Sequence, residues 1–303
     1  MSYSFDSRIN VEICNTNHEN PKTTSEGKNN AGYNGLNIIP IIDAAIPIIV
    51  FMTKFNVFDE ILDRARQYGV RIISRRDEEY PPLLRNSETP PSFLYAIGAP
   101  LGDRCYVAVV GTREPSPRGS ELAYAIGREL AERGYSVVTG GARGVDSQAW
   151  EGARSAGGHA VVVAPFLFEN GRPWRRIGQN ETMVAEALEQ GALSGNYWLA
   201  MRNRIIVGMA AAVVIPDAKC KVVGGECRKG GWGTRYSAVF GAKIRRPVVV
   251  LEPEKGDQER WIAFQHLVNL GALPVKNLDE AMRVVEDEAG DRCVYVKEAM
   301  VAV

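Results

Sequence analysis

Two glycine turns, each closing a short apolar run, constrain this chain more than any other feature. Tyr106–Val110 is apolar and ends at Gly111; Ser136–Thr139 follows about thirty residues later and ends in Gly140-Gly141-Ala142-Arg143-Gly144. Between them, Ser116-Pro117 has the form of an N-cap with a first-turn proline, and Gly134 stands where the intervening helix must stop after Arg133. The stretch therefore reads as strand, turn, helix, strand, with a second turn opening another helix. Both turns then lie at the carboxyl ends of neighbouring parallel strands, where open α/β sheets bind their ligands.

The same alternation continues downstream. Ala160–Ala164, Ala212–Pro216 and Pro247–Leu251 are near-continuous apolar runs, the pattern of parallel strands covered on both faces. Helices are expected at Glu181–Gln190, Asn203–Ala211, Thr234–Phe240, Trp261–Leu270 and Leu278–Val285, with a short strand-like run at Ala272–Val275. Upstream, Asn56–Tyr68 has helical spacing, and Val70–Ser74 and Phe93–Ile97 are strand-like around a proline-rich connection. Residues 1–35 are polar and read as flexible. This divides the chain into 1–35, a helical and extended region at 36–100, the α/β domain at 101–288, and a tail at 289–303. Leu36–Met52 is strongly apolar, but it is shorter than the about 20 residues of a bilayer span and contains Pro40, Asp43 and Pro47, which favours a covered segment over a membrane helix.

Several function classes are disfavoured. The first turn, Gly111-Thr112-Arg113-Glu114, is not the GxGxxG of dinucleotide enzymes, and no GxxxxGK[ST] loop is present. His18, His159 and His266 have no metal-ligand or triad spacing, and no CxxC pair occurs among the five cysteines. No catalytic residue, metal or cofactor is therefore expected. Cys220 and Cys227 bracket one loop, and their pairing is left open. No basic segment followed by an apolar core begins the chain, which leads to the expectation of a cytoplasmic protein.

The remaining motifs suit anions. Gly111, Thr112 and Arg113 with Ser116 at a helix start offer backbone N–H groups beside a guanidinium. Gly140, Gly141, Arg143 and Gly144 form a second close-approach turn, and Asp146 is either a helix cap or a ribose or base contact. Arg202, Asn203 and Arg204 open an apolar helix; the two arginines, two residues apart, point roughly 200° from one another, so one is expected toward ligand and one toward structure. Gly231, Trp232, Gly233 and Thr234 precede another helix and add an aromatic face for a base. Lys and Arg equal Asp and Glu at 36 each, yet between Ala200 and Arg246 ten basic residues meet only Asp217 and Glu226, and Arg172, Trp174, Arg175 and Arg176 add to that. A neutral chain with such a cluster is suited to a phosphate backbone.

In order, VVGTREPSPRG, VVTGGARGVDSQAWEGA, MRNRIIVGMAAAVVI and GGWGT resemble the blocks of the DNA-processing protein A (DprA/Smf) family, and the similarity runs from about Ile61 to Val285. Trp150 stands where that family has His. The resemblance implies an α/β, extended Rossmann-like fold, with a mostly parallel sheet and helices on both faces. It also implies single-stranded DNA binding, a homodimer, help in loading a RecA-type recombinase, and no enzymatic step. Arg113, Arg202, Arg204 and the turn Gly140–Asp146 match the family's positively charged phosphate pocket, with Trp232 or Trp174 as the stacking surface. GGWGT is also similar to the PGGxGTxxE motif of lysine-decarboxylase-like phosphoribohydrolases, which supplies the alternatives of a nucleotide sensor or a nucleoside monophosphate hydrolase. The glutamate that hydrolysis needs is replaced here by Ser237.

Overall fold

A computed structural model describes residues 55–189, 195–228 and 232–301. The polar segment 1–35, the apolar Leu36–Met52 and Gly231 lie outside the described residues. The elements run α1 (Phe55–Gln67), β1 (Arg71–Ser74), α2 (Pro82–Arg85), β2 (Phe93–Gly98), β3 (Tyr106–Val109), α3 (Pro117–Glu132), β4 (Ser136–Thr139), α4 (Val145–Ser155) and β5 (Ala160–Val163). Then come β6 (Phe168–Glu169), β7 (Arg172–Pro173), β8 (Glu181–Ala185), α5 (Gly195–Met209), β9 (Ala212–Ile215), β10 (Val222–Val223) and β11 (Glu226–Cys227). The chain closes with α6 (Gly233–Lys243), β12 (Val248–Leu251), α7 (Gln258–Asn269), β13 (Leu273–Val275) and α8 (Leu278–Val301).

One sheet organises these elements, in the order β1-β2-β8-β5-β4-β3-β9-β12-β13. From β8 to β13 every pairing is parallel, whereas β2 joins β8, and β1 joins β2, antiparallel. The chain leaves β3 in one direction through β4 and β5, then returns to place β9 on the other side of β3. The switch point of this α/β sheet is therefore the gap between the carboxyl ends of β3 and β9.

The apolar runs explain the layers. In β3, Ala108 packs into one core and Val107 and Val109 into the other; Val138 and Val137 of β4, Val161 and Val162 of β5, and Val213 and Val214 of β9 divide the same way. The first core contains residues of α2, α5, α6 and α7, the second residues of α3, α4 and α8. Ser116 caps α3 as its sequence suggests, its hydroxyl accepting the Gly119 N–H at 2.9 Å, with Pro117 in the first turn.

Three expectations change. Glu181–Gln190 is not a helix: Glu181–Ala185 is the fully buried strand β8 between β5 and β2. Its Glu, Met and Ala residues are good helix formers, and two-sided strand pairing overrides that preference. The region 36–100 contributes β1 and β2 to the same sheet as the rest. The stretch 289–303, read as a tail, continues α8 to Val301, and Cys293 there is disulfide-bonded to Cys105 just ahead of β3. Cys220 and Cys227 also pair, with Cα atoms 5.5 Å apart.

His159 enters β5 almost fully buried, with Nδ1 3.1 Å from Ser136 Oγ and Nε2 3.0 Å from Thr182 Oγ1. The Thr182 hydroxyl donates to Ala99 O at 2.6 Å, so Nε2–H must donate to Thr182 and Nδ1 must accept from Ser136. Burial, aided by the charge of Arg104, pushes the imidazole down from 6.5 to about 4. The unfolded chain thus binds the proton more readily than the folded one. The stabilisation is complete above about pH 6.5 and is lost as pH falls toward about 4, on the order of 3 kcal/mol in all. Urea unfolding of His159→Gln is expected to show a shallower decline across that window than the parent; equal declines would contradict a neutral buried histidine.

Candidate functional site

The two glycine turns meet around one carboxylate. Asp146 lies in the first turn of α4, 5% exposed, and accepts N–H groups from Gly140 at 3.0 Å, Gly111 at 3.3 Å and Ala142 at 3.4 Å. It thus ties the loop after β3 to the loop after β4. It is neither a cap of its own helix, whose N-cap is Gly144, nor open to a ligand. The loops also touch directly: Val145 N donates to Thr112 O at 3.1 Å, and Gly144, with φ 87°, approaches so closely that a Cβ would lie 2.5 Å from Thr112 O. Only glycine fits there. Thr112 and Thr139 hydroxyls complete the turns by accepting from Glu114 N at 3.1 Å and Gly141 N at 2.9 Å.

The arginine-asparagine-arginine motif faces inward. Arg202 is 7% exposed and donates from Nη1 to Val163 O at 2.6 Å and to Gly140 O. Burial pushes its guanidinium down to about 10, against the pull of Asp146; burial likewise raises the Asp146 carboxyl, against Arg202 and the three N–H groups. Arg204 pairs with both carboxylate oxygens of Glu186 at 2.7 Å each. Asn203 Nδ2 donates to Gly233 O at 3.3 Å, joining α5 to the start of α6. The expectation that one arginine points to ligand is therefore corrected: both are engaged within the protein, because α5 is buried against the sheet. Trp232 and Thr234 are buried too, at 7% and 5% exposure, and the Trp232 ring meets His266 edge-on at 5.2 Å, which leaves no open face for a base.

What faces solvent is smaller and sharper. Arg113 and Arg143 are exposed, one on each turn, and neither makes a hydrogen bond or ion pair among the described residues. Between them, the N–H groups of Arg143, Gly144, Asp146 and Ser147 find no protein acceptor among the described residues, so the positive end of α4 is open. Trp174, half-buried, lies along Gly141, and Arg175 donates to Gly141 O at 3.3 Å while its guanidinium sits 4.9 Å from the centre of the Trp150 ring. Arg172 and Arg176, near them in sequence, are exposed.

The start of α3, also expected to hold an anion, already has one. Asp217, directly after β9, accepts Ser116 N at 2.7 Å and is held by Arg260 Nε at 2.9 and 3.0 Å. This pair went unrecognised because a lone Asp after a strand reads as a turn residue. The basic run is likewise not one open face: Lys219 pairs with Glu114 at 3.2 Å and Glu259 at 3.4 Å, Lys243 with Glu88 at 2.8 Å, and burial pushes Arg246 down to about 10. No group of three or more His, Cys, Asp or Glu gathers as a metal site among the described residues.

With this geometry, the comparison with known proteins is decisive for ancestry. The family model of DNA recombination-mediator protein A matches residues 71–286. The chain belongs to that family. It is similar to Protein Smf of Synechocystis sp., 27% identical over 273 residues and covering 81% of this chain and 64% of that one. It is also similar to DNA processing protein DprA of Bacillus subtilis, 26% identical over 168 residues and covering 53% and 57%. The chain thus spans between about half and two thirds of the length of these curated relatives. Its fold is that of DNA processing protein A from Helicobacter pylori, a structure described for its single-stranded DNA binding mode (TM-score 0.57, 24% identity, 73% of this chain and 97% of that one). The Streptococcus pneumoniae DprA structure aligns with TM-score 0.57 at 21% identity, covering 72% and 76%. The α/β, mostly parallel architecture is shared; among the described residues no helix is long and apolar enough to cross a membrane.

Asp146→Asn keeps the volume but replaces an acceptor-only group by an amide and leaves the buried Arg202 charge uncompensated. A loss of about 2–4 kcal/mol in unfolding free energy is expected by urea denaturation. A change below about 0.5 kcal/mol would show that the turns do not depend on this carboxylate.

Proposed function

We propose that the chain binds single-stranded DNA, seating backbone phosphates on the open start of α4 between Arg113 and Arg143. Trp174 offers the partly exposed aromatic surface beside that seat, and Arg175 reaches the carbonyl of Gly141. The observation that carries this reading is the contrast between two helix starts. The start of α3 is filled by Asp217 and Arg260, while the start of α4 keeps its N–H groups and two unpaired guanidinium groups for an external anion. The family and the single-stranded DNA binding mode of the Helicobacter pylori protein support a strand of DNA as that anion. In this reading the protein acts in the cytoplasm as a homodimer, hands strands to a RecA-type recombinase in recombination or DNA uptake, and catalyses no step itself. Hydrolysis of a nucleoside monophosphate is disfavoured by Ser237, buried where that chemistry needs a glutamate.

Arg113→Ala with Arg143→Ala removes the two exposed cations without touching the buried network. Titration of poly-dT across salt concentrations is expected to show weaker binding and a log–log salt slope shallower by about 1.4, about 0.7 for each lost phosphate contact. Arg204→Ala, by contrast, should lower thermal stability while leaving the slope in place. An unchanged slope in the double variant would overturn this site, and adenine released from AMP in a saturable way would favour the hydrolase instead.

A further inference from the structure

Between β9 and α6 the chain makes an excursion that a plain connection would not need. Its root is fixed to the site: Lys219 bridges Glu114 of the first glycine turn and Glu259 of α7, and the buried Cys220 Sγ lies 3.8 Å from Glu259 O. From there β10 and β11 form a hairpin, with Val222 opposite Cys227 and Val223 opposite Glu226. Gly224 and Gly225, with φ of 62° and 84°, supply the two left-handed residues that a tight hairpin turn requires. The Cys220–Cys227 disulfide closes its base, where Arg228 N donates to Lys221 O at 2.8 Å.

Strand alternation sorts the side chains of this hairpin. Val222 and Cys227 pack against the core, so Lys221, Val223, Glu226 and Arg228 share the outer face. Lys221 and Arg228 are exposed cross-strand neighbours, and neither forms an ion pair among the described residues. Like charges directly opposite one another destabilise a hairpin unless an anion lies across them. Val223 beside them is 65% exposed, an apolar surface at the tip. The pairing of Lys219 with Glu114 at 3.2 Å sets the root of the hairpin beside the first glycine turn, and the Lys219 hydrogen bond, with smaller contributions from the charges of Arg143 and Lys221, holds the Glu114 carboxyl below its usual range.

We propose that this disulfide-closed hairpin is a second phosphate-binding element, in which Lys221 and Arg228 continue the path of a DNA strand from the start of α4 past the first glycine turn. The inference rests on the reading of α4 as a phosphate seat. The disulfide pre-forms the hairpin, so that the strand does not have to order it on binding.

The test compares three variants of the full chain by poly-dT titration over salt: Lys221→Ala with Arg228→Ala, Arg113→Ala with Arg143→Ala, and Cys220→Ser with Cys227→Ser. The hairpin charge variant is expected to lower the salt slope by about 1.4. The serine variant is expected to bind several-fold more weakly with the slope kept. If the hairpin charge variant binds as the parent while the Arg113 and Arg143 variant is weakened, the hairpin proposal is overturned and the α4 seat stands. If only the hairpin variant is weakened, the α4 seat falls, and with it the path from α4 that this proposal describes, leaving the hairpin as a separate contact. If neither is weakened, both fall. Circular dichroism of each variant, expected to match the parent, separates these outcomes from misfolding.

Discussion

A carboxylate that collects N–H groups from two loops is the interaction on which the rest of this structure depends. Without Asp146, the donors of Gly111, Gly140 and Ala142 would be left without their acceptor in a poorly solvated cleft, and the loops after β3 and β4 would have no common centre. With it, Gly144 can rest on the backbone of Thr112, and Arg202 can reach past Gly140 to the carbonyl of Val163. The buried positive charge of Arg202 and the buried negative charge of Asp146 make one another tolerable at neutral pH. Arginines that look like ligand-binding groups thereby serve as an inner frame, and the exposed guanidinium groups of the two turns are those of Arg113 and Arg143.

Of the helices that follow strands of this sheet, α3 and α4 open beside the two glycine turns, and their starts are treated oppositely. At the switch point between β3 and β9, Asp217 is a built-in anion for α3, fixed by Arg260, which also donates to Asp257 and Glu114 O. A phosphate arriving there would meet a carboxylate. One strand away, α4 begins with a left-handed glycine and no side-chain cap. In the proposed reading the anion seat lies one strand away from the switch point, at the uncapped start of α4. The basic hairpin is tied to the first turn through Lys219 and Glu114.

Much of this was legible from the residues. Apolar runs marked all the parallel core strands except β8, and Ser116, Pro117 and Gly134 marked both ends of α3, because caps and turns depend on local chemistry. What could not be read was direction. In sequence a charged residue appears as a surface charge, yet Asp146, Arg202 and Asp217 are buried and Lys219, Lys243 and Arg204 are paired with carboxylates distant in the chain. Trp232 reads in sequence as an aromatic platform and is a core residue, its ring set edge-on against His266 of α7. β8 was misread for the same reason: pairing on both sides comes from residues far along the chain, and local preference alone favours a helix.

Amide hydrogen exchange with and without poly-dT tests the central claim most directly, because it reports which helix start meets the strand. Slowed exchange on binding is expected at Arg143–Ser147 and at Arg113, with no change at Ser116–Gly119, where Asp217 and the Ser116 hydroxyl already hold the amides. Slowing confined to Ser116–Gly119, with Arg143–Ser147 unchanged, would contradict it.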